Sequence, residues 1–163
     1  SFAILFTILS IAWIIMPFNR ATILWEKGYH DKAFSSWQSE ILHRNDINSY
    51  QKLIEAYISI GKYNEAEQFT KRALTYYPNY VNFYFYYAMI NFYRGNYNQS
   101  FSYTEKVIEM NKYFPEVYLL RGMIMEKLNQ HEQARNEFIK EVNNNPGNRL
   151  AWAKLREFKN ANY

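Results

Sequence analysis

A period of 34 residues runs through the chain. The stretch GKYNEAEQFTKRALTYYP from Gly61 aligns with GNYNQSFSYTEKVIEMNK from Gly95 and NQHEQARNEFIKEVNNNP from Asn129, each offset by 34. Self-similarity at a fixed spacing of this length marks a supersecondary unit that stacks on its own copies. Gly61, Gly95 and Asn129 share a phase, and Gly and Asn best tolerate the left-handed backbone that ends a helix. Two residues on come Tyr63, Tyr97 and His131. Three further come Ala66, Ser100 and Ala134, all small, where two helices must approach closely. Pro78 and Pro146 occupy one phase, with Lys112 between them and Pro115 three residues late. Each proline stops the second helix of its unit, because it lacks the N–H and disfavours helix in the residue before it.

This pattern resembles the tetratricopeptide repeat (TPR) family, whose unit is a helical hairpin of the same length. The resemblance covers 47–148 as three units, 47–80, 81–114 and 115–148. In the family's phase the first helices carry Tyr50, Leu53, Ile54 and Tyr57, then Tyr84, Tyr87 and Ala88, then Tyr118, Gly122 and Met125. The second helices carry Ala66 and Ala73, Ser100 and Val107, and Ala134 with Phe138. Departures are Asn91 and Arg121 at usually apolar positions, Thr70 and Thr104 where an aromatic is typical, and Glu141 where Ala is usual. Gly28, Tyr29, Ala33 and Trp37 echo the turn and second helix in a degenerate first hairpin over 19–46, although Ala33 lies 33 residues before Ala66. Residues 149–163 read as a C-terminal capping helix with Leu150, Trp152, Leu155 and Phe158 on its packing side. The resemblance implies an all-α, TPR-type helical-hairpin solenoid.

Ahead of it stands a segment of another kind. All 34 Lys, Arg, Asp and Glu residues lie after position 18, and SFAILFTILSIAWIIMPF contains none. At 1.5 Å per residue its apolar positions reach roughly 25 Å, the lower limit of a bilayer span. The segment is apolar on every side, apart from Thr7 and Ser10, which a helix satisfies on its own carbonyls. We therefore expect one transmembrane helix over 1–18, with Phe2, Leu5, Phe6, Ile8, Leu9, Ile11, Trp13, Ile14 and Ile15 facing lipid. Trp13 and Trp25 suit an interfacial aromatic belt, and Asn19 and Arg20 mark the exit into water. No basic stretch precedes the segment and no small-x-small site follows it, which argues against a signal peptide. The chain opens on Ser1 without Met, so upstream residues are expected, and the segment reads as a lone anchor or as the last span of a larger membrane protein. With no upstream flank to compare, the charges after the span leave both periplasmic and cytoplasmic orientations open.

Composition narrows the chemistry. With no Cys there is no disulfide frame, zinc knuckle or thiol nucleophile. The net charge of +4 arises from 19 basic and 15 acidic residues that are interspersed, so no nucleic-acid partner is expected. The richness in Asn, Lys, Tyr, Phe and Ile suits an AT-rich, bacterial genome. The chain carries neither GxxxxGK[ST] nor GxGxxG nor GxSxG, which excludes their phosphate cradle and serine elbow. His30, His43 and His131 fall in separate regions without a ligand partner at helical metal spacing, so no metal site is expected. Glu65 with Glu67, Glu105 with Glu109, and Glu137 with Glu141 read as solvated faces. No catalytic residues, cofactor or metal are expected.

Aromatic residues make up 20% of the chain and concentrate in VNFYFYYAMINFYR, which starts at Val81. Tyr84, Tyr87 and Ala88 are explained as packing positions; Phe85, Met89, Phe92 and Tyr93 are not. In the family the first helices line a concave groove, and by this resemblance the partner-binding residues are Gln51, Glu55, Phe85, Met89, Phe92, Tyr93, Leu119 and Met123. Positions that hold a peptide carboxylate in some family members carry Gln51, Glu55, Phe85, Met89, Leu119, Leu120 and Met123 here, so that clamp is not expected, although Arg121 and Lys127 remain for an acidic rim. The reading is a non-catalytic, membrane-anchored scaffold that binds an apolar or aromatic peptide segment or the subunits of a membrane complex. Two alternatives are the C-terminal tail of a larger membrane enzyme, such as a glycan polymerase or ligase, and an accessory subunit of an energy-converting membrane complex.

Overall fold

The turn positions organise the structure. A computed structural model of the chain describes residues 20–160, and the span expected over 1–18 lies outside them. Among the described residues no helix is long and apolar enough to cross a membrane. Those residues form nine helices and no strand. They are α1 (20–26), α2 (His30–Arg44), α3 (Ile47–Ser59), α4 (Tyr63–Tyr76), α5 (Val81–Tyr93), α6 (Tyr97–Met110), α7 (Val117–Lys127), α8 (His131–Asn144) and α9 (Arg149–Asn160).

Gly28, Gly61, Gly95 and Asn129 all adopt left-handed backbone, with φ of 79°, 74°, 80° and 59°. Each sits in a three-residue turn between the paired helices of a hairpin. The residue after each turns its N–H back onto the preceding helix: Tyr29 to the Leu24 carbonyl, Lys62 to Tyr57, Asn96 to Asn91 and Gln130 to Met125, at 2.8–2.9 Å. Four helix ends thus satisfy their last carbonyls in the same way. The second helix of every hairpin starts two residues after the turn residue, at His30, Tyr63, Tyr97 and His131. Its small residue, Ala33, Ala66, Ser100 or Ala134, is fully buried.

The described residues divide into two compact units at Pro78 and Asn79. In the first, α3 buries Tyr50, Leu53, Ile54 and Tyr57, the i, i+3, i+4, i+7 stripe of a half-buried helix. The Asp46 carboxylate caps α3 by accepting the Ser49 N–H at 2.7 Å, a contact typically worth ~1 kcal/mol. α4 buries the narrow stripe Ala66, Thr70 and Ala73. Thr70 tolerates burial because its hydroxyl donates to the Ala66 carbonyl at 2.7 Å. At the end of α4 the Tyr77 hydroxyl donates to the Asn45 carbonyl in the left-handed link between α2 and α3. Trp25 is packed edge-on to Phe34 and tilted against Trp37, with its ring stacked on His30 at 4.1 Å. Those ring contacts tie α1 to α2.

In the second unit α5 and α6 pack closely, as do α7 and α8, with α9 against α8. The second helices again present one stripe: Ser100, Thr104 and Val107 on α6, then Ala134, Phe138 and Glu141 on α8. Phe138 is larger than its counterparts, and Gly122 on α7 makes room for it. A Cβ on Gly122 would lie 2.3 Å from the Phe138 ring. The late Pro115 shifts α7 as well. The third unit is predicted to begin at 115, but helix begins only at Val117, after Glu116 in left-handed backbone at φ 65°. α9 packs through Ala151 and Phe158, with Leu155 partly covered, while Leu150 and Trp152 point outward at 51% and 45% exposure. The cap therefore uses half of its predicted apolar face.

Candidate partner-binding surface

The eight expected groove residues occupy three kinds of environment. Gln51 and Glu55 lie on α3 in the first unit, Gln51 half-buried and Glu55 exposed, with Glu55 3.0 Å from Lys52. The other six lie on α5 and α7 in the second unit. Phe85, Phe92 and Leu119 are buried, at 7%, 8% and 6% exposure. Phe85 and Phe92 join Ala88, Val107, Val117, Leu120 and Ile124 in one cluster, with Phe85 also against the Phe114 ring at 5.0 Å. Leu119 belongs to a second cluster with Ala134, Phe138 and Phe158. These three side chains are core, and neighbouring helices cover them where a partner was expected to. The helix from Val81 is apolar nearly all round because it is enclosed nearly all round.

What stays accessible is the position one turn further on. Met89 and Met123, 34 residues apart on successive first helices, are each half-buried against the cluster centred on Phe92 and Ile124. Tyr93 stands 50% exposed at the end of α5, its ring edge-on to Phe92 at 5.5 Å. Lys127 is exposed. Arg121 is not available to an acidic rim: its side chain is 17% exposed, with Nε 3.5 Å from the Glu137 carboxylate and the guanidinium 4.3 Å from the centre of the Phe101 ring.

The acidic faces also divide. Glu105 and Glu109 are exposed and Glu65 and Glu67 half-buried, but Glu137 and Glu141 are buried at 6% and 1% exposure, which corrects their reading as solvated. Glu141 accepts the N–H groups of Glu116 and Leu119 at 3.2 and 3.3 Å and the Asn148 amide at 2.8 Å. Asn148 in turn accepts the Ala151 N–H at 3.1 Å. A single carboxylate therefore satisfies orphan donors at the start of α7 and orients the amide that caps α9. The sequence signal was its position, a Glu on the Ala134–Phe138 packing stripe with Asn148 two turns on.

Surroundings shift Tyr50, Tyr57 and Lys154. Burial raises the Tyr50 phenol above its ordinary value, with the nearby Arg72 opposing. Burial likewise raises Tyr57, against a 3.0 Å hydrogen bond in which the Gln38 amide donates to its oxygen. Burial pulls the Lys154 ammonium down, but its bonds to Glu126 and Glu157, both at 3.1 Å, outweigh that and hold it above the usual lysine range. Among the described residues no group of three or more His, Asp or Glu is placed to hold a metal ion.

The paired helices, their common turn and their repeated packing stripe define a helical-hairpin repeat protein. The tetratricopeptide repeat family model matches residues 47–80, the first full repeat. No curated protein sequence matches the chain. Solved structures with the same fold include a thermophilic TPR protein, TTC0263 of Thermus thermophilus, at TM-score 0.74 and 16% identity over 89% of this chain and 80% of that one. MamA matches at TM-score 0.70 and 18% identity over 87% of this chain and 84% of that one. The first TPR of Spaghetti (RPAP3), bound to the HSP90 peptide SRMEEVD, matches at TM-score 0.62 and 20% identity over 69% of this chain and 89% of that one. At these identities the likeness is one of fold.

Proposed function

We propose that the chain is a non-catalytic, membrane-anchored TPR scaffold that holds a protein partner against the first helices of its second unit. The observation that carries this reading is the pair Met89 and Met123, at one phase of α5 and α7, half-covered by the same core and flanked by the exposed ring of Tyr93. Thioethers and a rigid phenol give adaptable apolar contact at low entropic cost, suited to an apolar or aromatic segment. The Spaghetti TPR that matches in fold carries a peptide ending in acidic residues. Here the corresponding positions of the second unit that stay accessible are Met89 and Met123, which favours an apolar partner, a subunit of a membrane complex among them. The anchor is the uncharged segment 1–18.

Affinity purification of the full chain from mild detergent tests the proposal. A defined partner should co-purify, and Met89→Ala with Met123→Ala and Tyr93→Ala should reduce its recovery about tenfold or more, with the helical circular dichroism unchanged. A chain that returns alone and monomeric, or a partner retained undiminished by the triple variant, overturns it. Protease accessibility in intact and permeabilised cells gives the side of the membrane on which the repeats lie.

A further inference from the structure

A cleft of about 540 Å³ opens between α1 and the start of α2, lined by Arg20, Leu24, Asp31, Lys32, Ser35 and Ser36. It is open to solvent, with Arg20, Asp31, Lys32 and Ser35 of its lining exposed. Arg20 and Lys32 are exposed there, and two cations, two hydroxyls and one carboxylate share the lining. Tyr29, 55% exposed, has the Lys32 ammonium 5.4 Å from the centre of its ring, and Ile23, next to Leu24 in α1, is 46% exposed. The uncharged apolar segment ends at Phe18, two residues before Arg20. A span there would hold this cleft at the depth of lipid headgroups, where Tyr and isoleucine side chains meet acyl chains and basic residues meet phosphate.

We propose that this cleft binds the headgroup of an anionic glycerophospholipid carrying free hydroxyls, the inference resting on the membrane-anchored reading above. The Arg20 guanidinium, a planar fork, and the Lys32 ammonium donate to the phosphate oxygens. The Asp31 carboxylate, in the same lining, accepts from a headgroup hydroxyl. Leu24 contacts the glycerol backbone. One net positive charge in the lining meets one negative charge on the lipid. One net positive charge beside an anionic surface corresponds to about a fivefold preference.

The full chain is reconstituted into vesicles of phosphatidylcholine alone and of phosphatidylcholine with phosphatidylglycerol at seven to three. Flotation and native mass spectrometry of the detergent-released protein report anchoring and retained lipid separately. The wild type should float with both and retain phosphatidylglycerol preferentially. Arg20→Gln with Lys32→Gln should float equally and lose most of that preference, while the charge-matched pair Lys71→Gln and Lys106→Gln, at exposed positions on other helices, should keep it. Equal retention by the Arg20/Lys32 variant overturns the proposal, as does displacement of the lipid by millimolar inorganic phosphate, which would mark a free-anion site. Failure to float on phosphatidylcholine with retained, Arg20- and Lys32-dependent binding to the mixed vesicles would remove the anchor and leave the headgroup site standing.

Discussion

Gly122 has little freedom to change. Its missing Cβ is occupied by the Phe138 ring, two of whose carbons would stand 2.3 and 2.6 Å from an added methyl. Gly122→Ala is therefore expected to cost about 1–3 kcal/mol through overpacking, despite alanine's better helix propensity. Urea unfolding followed by circular dichroism measures it, and an unchanged midpoint would refute the size exchange. Glu141 carries a comparable burden by other means. Glu141→Gln keeps the volume but replaces one acceptor by a donor facing donors, so a loss of about 1–3 kcal/mol is expected. Amide exchange at Glu116 and Leu119 should accelerate selectively; uniform acceleration along α7 would show that the carboxylate acts as packing alone. Both residues stood out in the sequence as a glycine and a glutamate on packing stripes. Only the side of the helix each faces, and what stands opposite, decides between solvated and buried.

At the level of single helices, the repeat was legible because its signals are local. The turn at Gly61, Gly95 and Asn129, the small residue five positions on and the helix start between them all follow from backbone sterics within a few residues. The environment of α5 was not legible. An apolar helix can be enclosed by neighbours or await a partner, and Phe85 and Phe92 turned out enclosed, whereas Met89 and Tyr93 are partly open. The start of α7 was not legible either: Pro115 marks a stop, and Glu116 in left-handed backbone, its N–H held by the Glu141 carboxylate, precedes the helix. α9 makes a prediction of its own. It covers Leu119, Ala134 and Phe138 through Ala151 and Phe158, so ending the chain after Asn148 should expose that cluster. Dye binding should rise and the truncated chain should self-associate in sedimentation; a monodisperse truncation with unaltered stability would deny α9 a capping role.

For the whole molecule, pH gives a test that sums over distant sites. Tyr50 and Tyr57 have raised pKa values relative to an ordinary 10.0, and Lys154 relative to 10.5. The native state then holds these protons longer than the unfolded chain does. Their contribution is intact below about pH 10 and falls as pH rises through the native values. The urea midpoint should drop between pH 8 and pH 11, and Tyr57→Phe should flatten that slope; a midpoint that rises across this range contradicts the assignment. The connections differ in another respect. Turns inside hairpins are all three residues long, while links between hairpins run to two, four, six and four. Variation in chain length has been absorbed at 45–46, 77–80, 111–116 and 145–148 and not at 60–62, 94–96 or 128–130. A foreign loop or tag grafted at 111–116 should be accommodated, whereas one extra residue beside Gly95 would rotate α6 out of phase with its partner, so the chain is open to splicing only at its links.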